Sequence, residues 1–254
     1  MQQVEITKIK PSDRFISLDL RELWAYRELL YFLTWRDVKI RYKQTAIGIA
    51  WAVLQPVLTT AIFTVIFSSF ARFDTSEVPY PLFALSGLLI WLFVHTSITM
   101  ASGSFVTNTN LVTKVYFPRL IVPIAAVLAC LFDLLFGVVI LIGMMIYFGT
   151  SVSWQILMAP VFLLVSIVLA VAVGTLFSAL NVRFRDVKFA LPFLLQVWMF
   201  ASPVFYPANL FSEKWRLVLS VNPLVGILEG FRGSLFGTPI DWKTVGVSLI
   251  SVVV

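Results

Sequence analysis

Apolar stretches of membrane-spanning length dominate this chain and leave few folds open to it. A hydrocarbon core about 30 Å thick takes about 20 apolar residues per crossing helix. Such stretches stand at 49–71, 82–101, 120–148, 155–180 and 189–206. A sixth opens at 244 and is still apolar at Val254; eleven residues cannot cross, so the sequence is expected to end inside its last span. The 120–148 stretch is long enough to demand tilt or a break, with Pro123 near its start. Of the 254 residues, 59% are apolar and 13% charged, where soluble domains carry about 25% charged residues. A soluble enzyme, a disordered chain and a disulfide scaffold are therefore poor readings. Cys130 is the single cysteine, so no disulfide closes within the chain and no CxxC metal site exists. The expected class is an all-α integral membrane protein, a single transmembrane domain over 1–254.

Charge placement predicts the topology. Residues 1–48 carry Lys8, Lys10, Arg14, Arg21, Arg27, Arg36, Lys39, Arg41 and Lys43 without an apolar run of seven, which excludes a signal peptide. An N-terminus inside also puts Lys114, Arg119, Arg183, Arg185 and Lys188 in the cytoplasm. Fourteen of the nineteen Lys and Arg residues then lie inside, as the positive-inside rule demands. Such a charge calls for no nucleic acid. Residues 20–35 read as an amphipathic helix in the membrane interface. Asp19 and Glu22 form a capping-box-like pair, and Leu20, Leu23, Trp24, Leu30, Tyr31 and Trp35 share one arc that Arg27 interrupts.

The outer segment 207–240 is different. Leu217–Leu228 is apolar but too short to cross, and Asn222-Pro223 breaks it. Two half-length helices meeting there, a re-entrant hairpin over 208–236, are expected. Gly226, Gly230, Gly233 and Gly237 permit the close packing that this needs. Glu229 and Arg232, three apart, are expected to pair with each other or across a dimer axis.

The inventory for chemistry is thin. No GxxxxGK[ST] phosphate loop, HExxH or GxSxG occurs, so ATP hydrolysis would have to reside on a partner. His95 reads as a packed structural histidine, and Cys130 as a small core hydrophobe. Asp133, a carboxylate well inside a span, reads either as a structural polar contact or as part of a transport path. One Asp and one His are too few for an ion-coupled carrier, which sets ionisable groups and broken helices at the midplane. Aromatic rings point to a substrate: Phe63, Phe67 and Phe70 along the first span, with Trp91, Trp198 and Phe205 elsewhere, could line a path and stack on sugar faces.

Five motifs in order then carry a resemblance. RDVKIRYKQTAIGIAWAVLQPVL at 36–58, LVTKVYFPRLIVP at 111–123, NVRFRD at 181–186, FASPVFYP at 200–207 and NPLVGILEGFRGSLFG at 222–237 are similar to polysaccharide ABC-exporter permeases. That family, with its Wzm-like branch, exports O-antigen, capsule or teichoic acid. The resemblance implies a homodimer of six-span subunits in the cytoplasmic (inner) membrane. It implies two copies of a cytoplasmic ATPase that hold ATP and Mg, with no cofactor on this chain, and a lipid-linked polysaccharide as cargo. It also implies a coupling helix at about 106–118, with Asn110, Lys114, Tyr116, Phe117 and Arg119 as ATPase anchors. Arg27 and Arg185, in the 183–188 loop, join that contact set. Asn222, Pro223, Glu229 and Arg232 become the outer gate. A lipid or drug exporter, a membrane-bound transferase and a recruitment anchor are the rival readings.

Overall fold

The computed structural model describes residues 20–43, 50–70 and 78–253. Lys8, Lys10, Arg14 and Asp19, used above for topology and capping, lie outside the described residues. In chain order the helices are α1 (Leu20–Ala25), α2 (Arg27–Lys43), α3 (Ala50–Phe70), α4 (Tyr80–Thr107), α5 (Thr109–Lys114) and α6 (Ile121–Tyr147). After them come α7 (Ala159–Arg183), entered through a 3-10 turn at Trp154–Met158, α8 (Val187–Phe200), α9 (Glu213–Ser220), α10 (Pro223–Phe236) and α11 (Trp242–Val253). No strand occurs among the described residues. Among them, four helices are long and apolar enough to cross a membrane: α3, α4, α6 and the unit Trp154–Arg183.

Four prolines fall where helices begin, while Pro56 and Pro192 lie inside α3 and α8. Pro81, Pro160 and Pro223 stand in the first turns of α4, α7 and α10, where a missing N–H costs nothing and the fixed φ suits the helix. Pro123 is likewise the third residue of α6, so the break considered there does not arise and α6 runs uninterrupted.

At the centre stands α4, packed against α3, α6, α7 and α10, and every residue from Leu82 to Trp91 is buried. Lipid offers no hydrophobic drive between helices, so close approach of small residues and hydrogen bonds must hold them. Both are present on α7: a Cβ on Gly174 would lie 2.7 Å from Ala101 Cβ. Ser104 and Ser178 share a hydrogen bond at 3.3 Å, and Asn181 Nδ2 donates to the Ser102 carbonyl at 2.9 Å.

Three boundaries differ from the sequence reading. The interface helix does not stop at 35: after a turn at Tyr26 it continues to Lys43. The second span runs on to Thr107, which leaves only the six residues of α5 where a coupling helix over 106–118 was expected. The 189–206 stretch is not one helix. α8 ends at Phe200 and a non-helical turn follows, because Pro203 disfavours helical geometry at Ser202. At 14 residues α8 is about 21 Å long by the rise per residue, short of a full crossing. The 208–236 segment holds two short helices, α9 and α10, separated at Val221-Asn222, where the sequence reading put the break.

Candidate functional site

Two clusters of sequence-predicted residues lie at opposite ends of the bundle. At the first, α2, α5 and the start of α6 share a small core of their own. Leu33 of α2 is 2% exposed and meets Phe117, Ile121, Val122 and Ala125, with Leu23, Tyr26, Leu30, Leu111 and Val112 packed around them. Tyr116 Oη donates to Glu22 Oε1 at 3.4 Å, and that carboxylate raises the phenol's pKa. Asn110, Lys114, Tyr116 and Arg119 are exposed, as are Arg27 and Arg185. Phe117 departs from this group: at 4% exposed it is buried and holds the corner together rather than facing a partner. Trp24 of α1 and Tyr31 of α2, both 71% exposed, point away from protein, as interface anchors do. The expected apolar arc thus divides, with Leu23 and Leu30 half-buried and the aromatics Trp24, Tyr31 and Trp35 exposed, while Leu33, which lies off that arc, is the residue that packs inward.

Farther along α2, Asp133 of α6 finds its partners. Arg41 Nη1 donates to Asp133 Oδ2 and Tyr42 Oη donates to Oδ1. Arg41 Nη2 also reaches Cys130 Sγ at 3.3 Å. An isolated charge in lipid is costly and needs a partner or water. Here the end of α2 supplies two donors, and Trp35 against Phe132 at 6.0 Å adds an aromatic contact between the same helices. Sequence reasoning flagged the carboxylate and left its partner unnamed, because Arg41 stands 92 residues away.

Of the expected path-lining aromatics, Phe63, Phe67 and Phe205 join one chain of rings, and Trp91 and Trp198 form a separate pair. Phe63 stacks on Phe67 at 5.8 Å and on Phe205 at 3.6 Å, Phe67 meets Tyr80 at 5.8 Å, and Tyr80 meets Phe83 at 6.2 Å. Trp91 packs edge-on against Trp198 at 6.4 Å and lies 5.7 Å from His95. Trp91 and Phe205 are buried in the core, while Phe63, Phe67 and Trp198 are half-buried at its rim. Phe70 ends α3, and its side chain lies outside those described.

At the far end of this chain of rings sits Arg232. Its guanidinium is buried, 3.6 Å from the Phe83 ring centroid. Nη1 donates to the Pro203 carbonyl at 2.7 Å, and Nη2 to Val204 at 2.6 Å and Phe83 at 3.1 Å. Nε reaches Ser86 Oγ at 3.4 Å. The expected pairing with Glu229 does not form. The carbonyls of the turn after α8 have no helical donors, and the cation satisfies them instead. Glu229 Oε2 is left buried without a hydrogen bond. Gly87 makes room for the arrangement, since a Cβ there would collide with Arg232 and lie 2.6 Å from the Val204 carbonyl.

Asn222 uses its whole amide. Oδ1 caps α10 through Leu224 N at 3.1 Å and accepts from Trp198 Nε1 at 2.8 Å. Nδ2 donates to Ser202 Oγ at 2.8 Å and to the Ala201 carbonyl at 3.2 Å. The break at Asn222-Pro223 is therefore a tied junction between α8, α9 and α10. Ser248 of α11 closes it further, donating to Ser220 O at 2.7 Å and accepting from Gly226 N at 3.0 Å. Asp241 caps α11 and binds Arg216 of α9 at 3.2 Å. Burial alone would raise its carboxyl, but hydrogen bonds from Thr244 and Lys243 and the charge of Arg216 hold it below the ordinary value.

Similarity to known proteins runs through both clusters. The sequence matches the ABC-2 type transporter family over residues 28–236. It is 30% identical to the O-antigen export system permease protein RfbA of Myxococcus xanthus over 222 residues, 85% of this chain and 84% of that one. It is 27% identical to the polysialic acid transport protein KpsM of Escherichia coli, covering 76% of each. Similarity to the capsule polysaccharide export inner-membrane protein CtrC of Neisseria meningitidis is 22% identity, over 86% of this chain and 83% of that one.

Proposed function

The chain belongs to the ABC-2 type transporter family, and from that membership and the geometry above we propose that it is the membrane subunit of an ATP-driven polysaccharide exporter. One observation carries this reading: relatives named for O-antigen, polysialic acid and capsule export all resemble this chain along most of its length. In it, two copies of the chain enclose the path, and two copies of a separate ATPase bind ATP and Mg on the cytoplasmic side. The cargo is a lipid-linked polysaccharide leaving through the inner membrane.

The orientation rests on the basic residues, with α2 and α5 inside. Six crossings are α3, α4, α6, α7, α8 continued by its turn, and α11, while α9 and α10 re-enter from the outer side. The exposed patch of Asn110, Lys114, Tyr116 and Arg119 meets the ATPase, with Arg27 and Arg185 at its margin. Because Leu111 and Val112 of α5 pack on the same small core as Leu33 of α2, a push on the patch moves the interface helix as one body. The Arg41–Asp133 link passes that movement to the middle of α6. Aromatics such as Phe63, Phe67 and Trp198 offer flat, register-free contacts to sugar rings, and the tied junction at Asn222-Pro223 with Glu229 and Arg232 closes the exit.

Deleting the gene in its own host tests the reading. The account expects polymer to disappear from the cell surface and accumulate, lipid-linked, inside. Normal surface polymer would overturn it.

A further inference from the structure

Between α2, α3, α4 and α6, bordered by the Arg41–Asp133 link, lies a cavity of about 570 Å³. Its polar wall consists of Arg41, Tyr42, Gln55, Thr96 and Asp133, and Trp51 stands at its edge, 57% exposed. Leu89, Leu92 and Phe93 of α4 add apolar lining. We infer that this cavity is a binding subsite for one hydroxyl-rich sugar ring of the transported polymer. The inference rests on the polysaccharide-export reading and names where within the chain the cargo is first held.

The chemistry of the wall selects among occupants. A phosphate or diphosphate group only accepts hydrogen bonds, and it would face the Asp133 carboxylate, which already balances the one cation, Arg41. A hydrocarbon chain would displace water from five polar side chains and satisfy none of them. A sugar hydroxyl both donates and accepts. It can give a proton to Asp133 and take one from the free N–H groups of Arg41, from the Gln55 amide or from the Thr96 hydroxyl. The Arg41 and Asp133 side chains keep 20% and 30% of their surface open, so both are reachable while paired. Trp51 supplies a flat face for the C–H side of a ring. Gln55 is exposed and sits one turn from Trp51 on α3, so both project from the same helix face. On the orientation proposed above, the subsite lies in the inner half of the membrane, beside the end of the interface helix.

A photo-reactive benzoylphenylalanine placed at Gln55, at Phe67 and at Ile146 in polymer-producing cells tests this. Ile146 is 76% exposed near the end of α6 and serves as the lipid-facing control. The expected result is a light-dependent, high-mass adduct at position 55 that stains for carbohydrate, with none at position 146. Gln55→Ala and Trp51→Ala should each slow export about fivefold at unchanged permease level, the weight of one lost contact. An adduct at 55 that carries lipid phosphorus and no carbohydrate would overturn the subsite. So would a carbohydrate adduct at position 67 with none at 55, or full export rate in both variants. Those outcomes leave the exporter reading standing, whereas surface polymer that persists after gene deletion would remove that reading itself.

Discussion

Helices α3 and α10 invert the usual relation between hydrophobicity and burial. α3 has 21 residues without a charge, yet among its described side chains only Pro56 and Thr60 are buried. α10 has 14 residues, including Glu229, Arg232 and three glycines, yet nearly every position from Leu224 to Leu235 is buried. In water the more apolar helix would be the core. In lipid an apolar side chain gains little by leaving hydrocarbon, so burial goes to helices that can approach closely and exchange hydrogen bonds. Gly226 shows how: a Cβ there would lie 3.0 Å from Val245 Cα and 2.5 Å from Ser248 Cβ. α3 has no comparable set and keeps its apolar surface for lipid or for a second copy of the chain.

Breaking the hydrogen-bonded core of α10 should have the largest effect. Arg232→Met removes the donor from the Pro203, Val204 and Phe83 carbonyls, at about 1–3 kcal/mol for each buried group left unpaired. The expected outcome is loss of folded protein, read as yield of monodisperse permease and as melting temperature in detergent. A near-normal melting temperature would show that the turn after α8 finds other donors.

A paired overpacking test sharpens the comparison. Gly226→Val should destabilise by about 1–3 kcal/mol, because α11 stands where the new side chain must go. Val65→Ala on α3, at a position 64% exposed, should change monomer stability by less than about 0.5 kcal/mol. Equal losses at the two positions would erase the distinction. Loss of dimerisation by the α3 variant alone would show that its bare face receives the second copy.

Asn222→Ala comes next. It removes the α10 cap and the partner of Trp198 Nε1, a loss of about 0.5–2 kcal/mol for the cap alone. Thermal unfolding should shift accordingly, and Trp198 fluorescence should move as its indole N–H loses its acceptor. An unchanged spectrum would separate Trp198 from the junction.

How far these features were legible follows from the range of each interaction. The long spans are visible because twenty apolar residues in a row leave few alternatives, and the meeting of two short helices at Asn222-Pro223 is visible because proline acts on its own neighbour. The shortness of α8 is harder to read, since Pro203 cuts a stretch whose composition stays apolar. Tertiary partners were out of reach. Asp133 announced a need for a cation, but nothing local points to Arg41. Glu229 and Arg232 share a helix spacing that favours pairing, yet the carbonyls that claim Arg232 exist only because a turn elsewhere is not helical. Phe117 reads as a surface anchor because it stands beside Lys114, Tyr116 and Arg119 in the segment expected to be a coupling helix, and only the packing of α2 over it makes it core.

The smallest predicted effect is electrostatic. Asp241 has a carboxyl held below its ordinary value, so its contribution to stability is complete above that ordinary value and fades as pH falls through the lowered one. Melting temperature in detergent should therefore begin to drop below about pH 4, and Asp241→Asn should flatten that part of the curve. A parallel drop in the variant would assign the acid sensitivity to other groups.

The central claim is that ATP on a partner drives polymer through this chain by way of the α2–α5 corner. It is tested most directly in inverted membrane vesicles holding the permease with its ATPase, by following whether lipid-linked polymer becomes protected from added glycosidase. The account predicts protection that requires ATP in the wild type and is lost in Lys114→Glu/Arg119→Glu at equal permease content. Polymer that is never protected with ATP present, or equal protection in the charge-reversed variant, would contradict it.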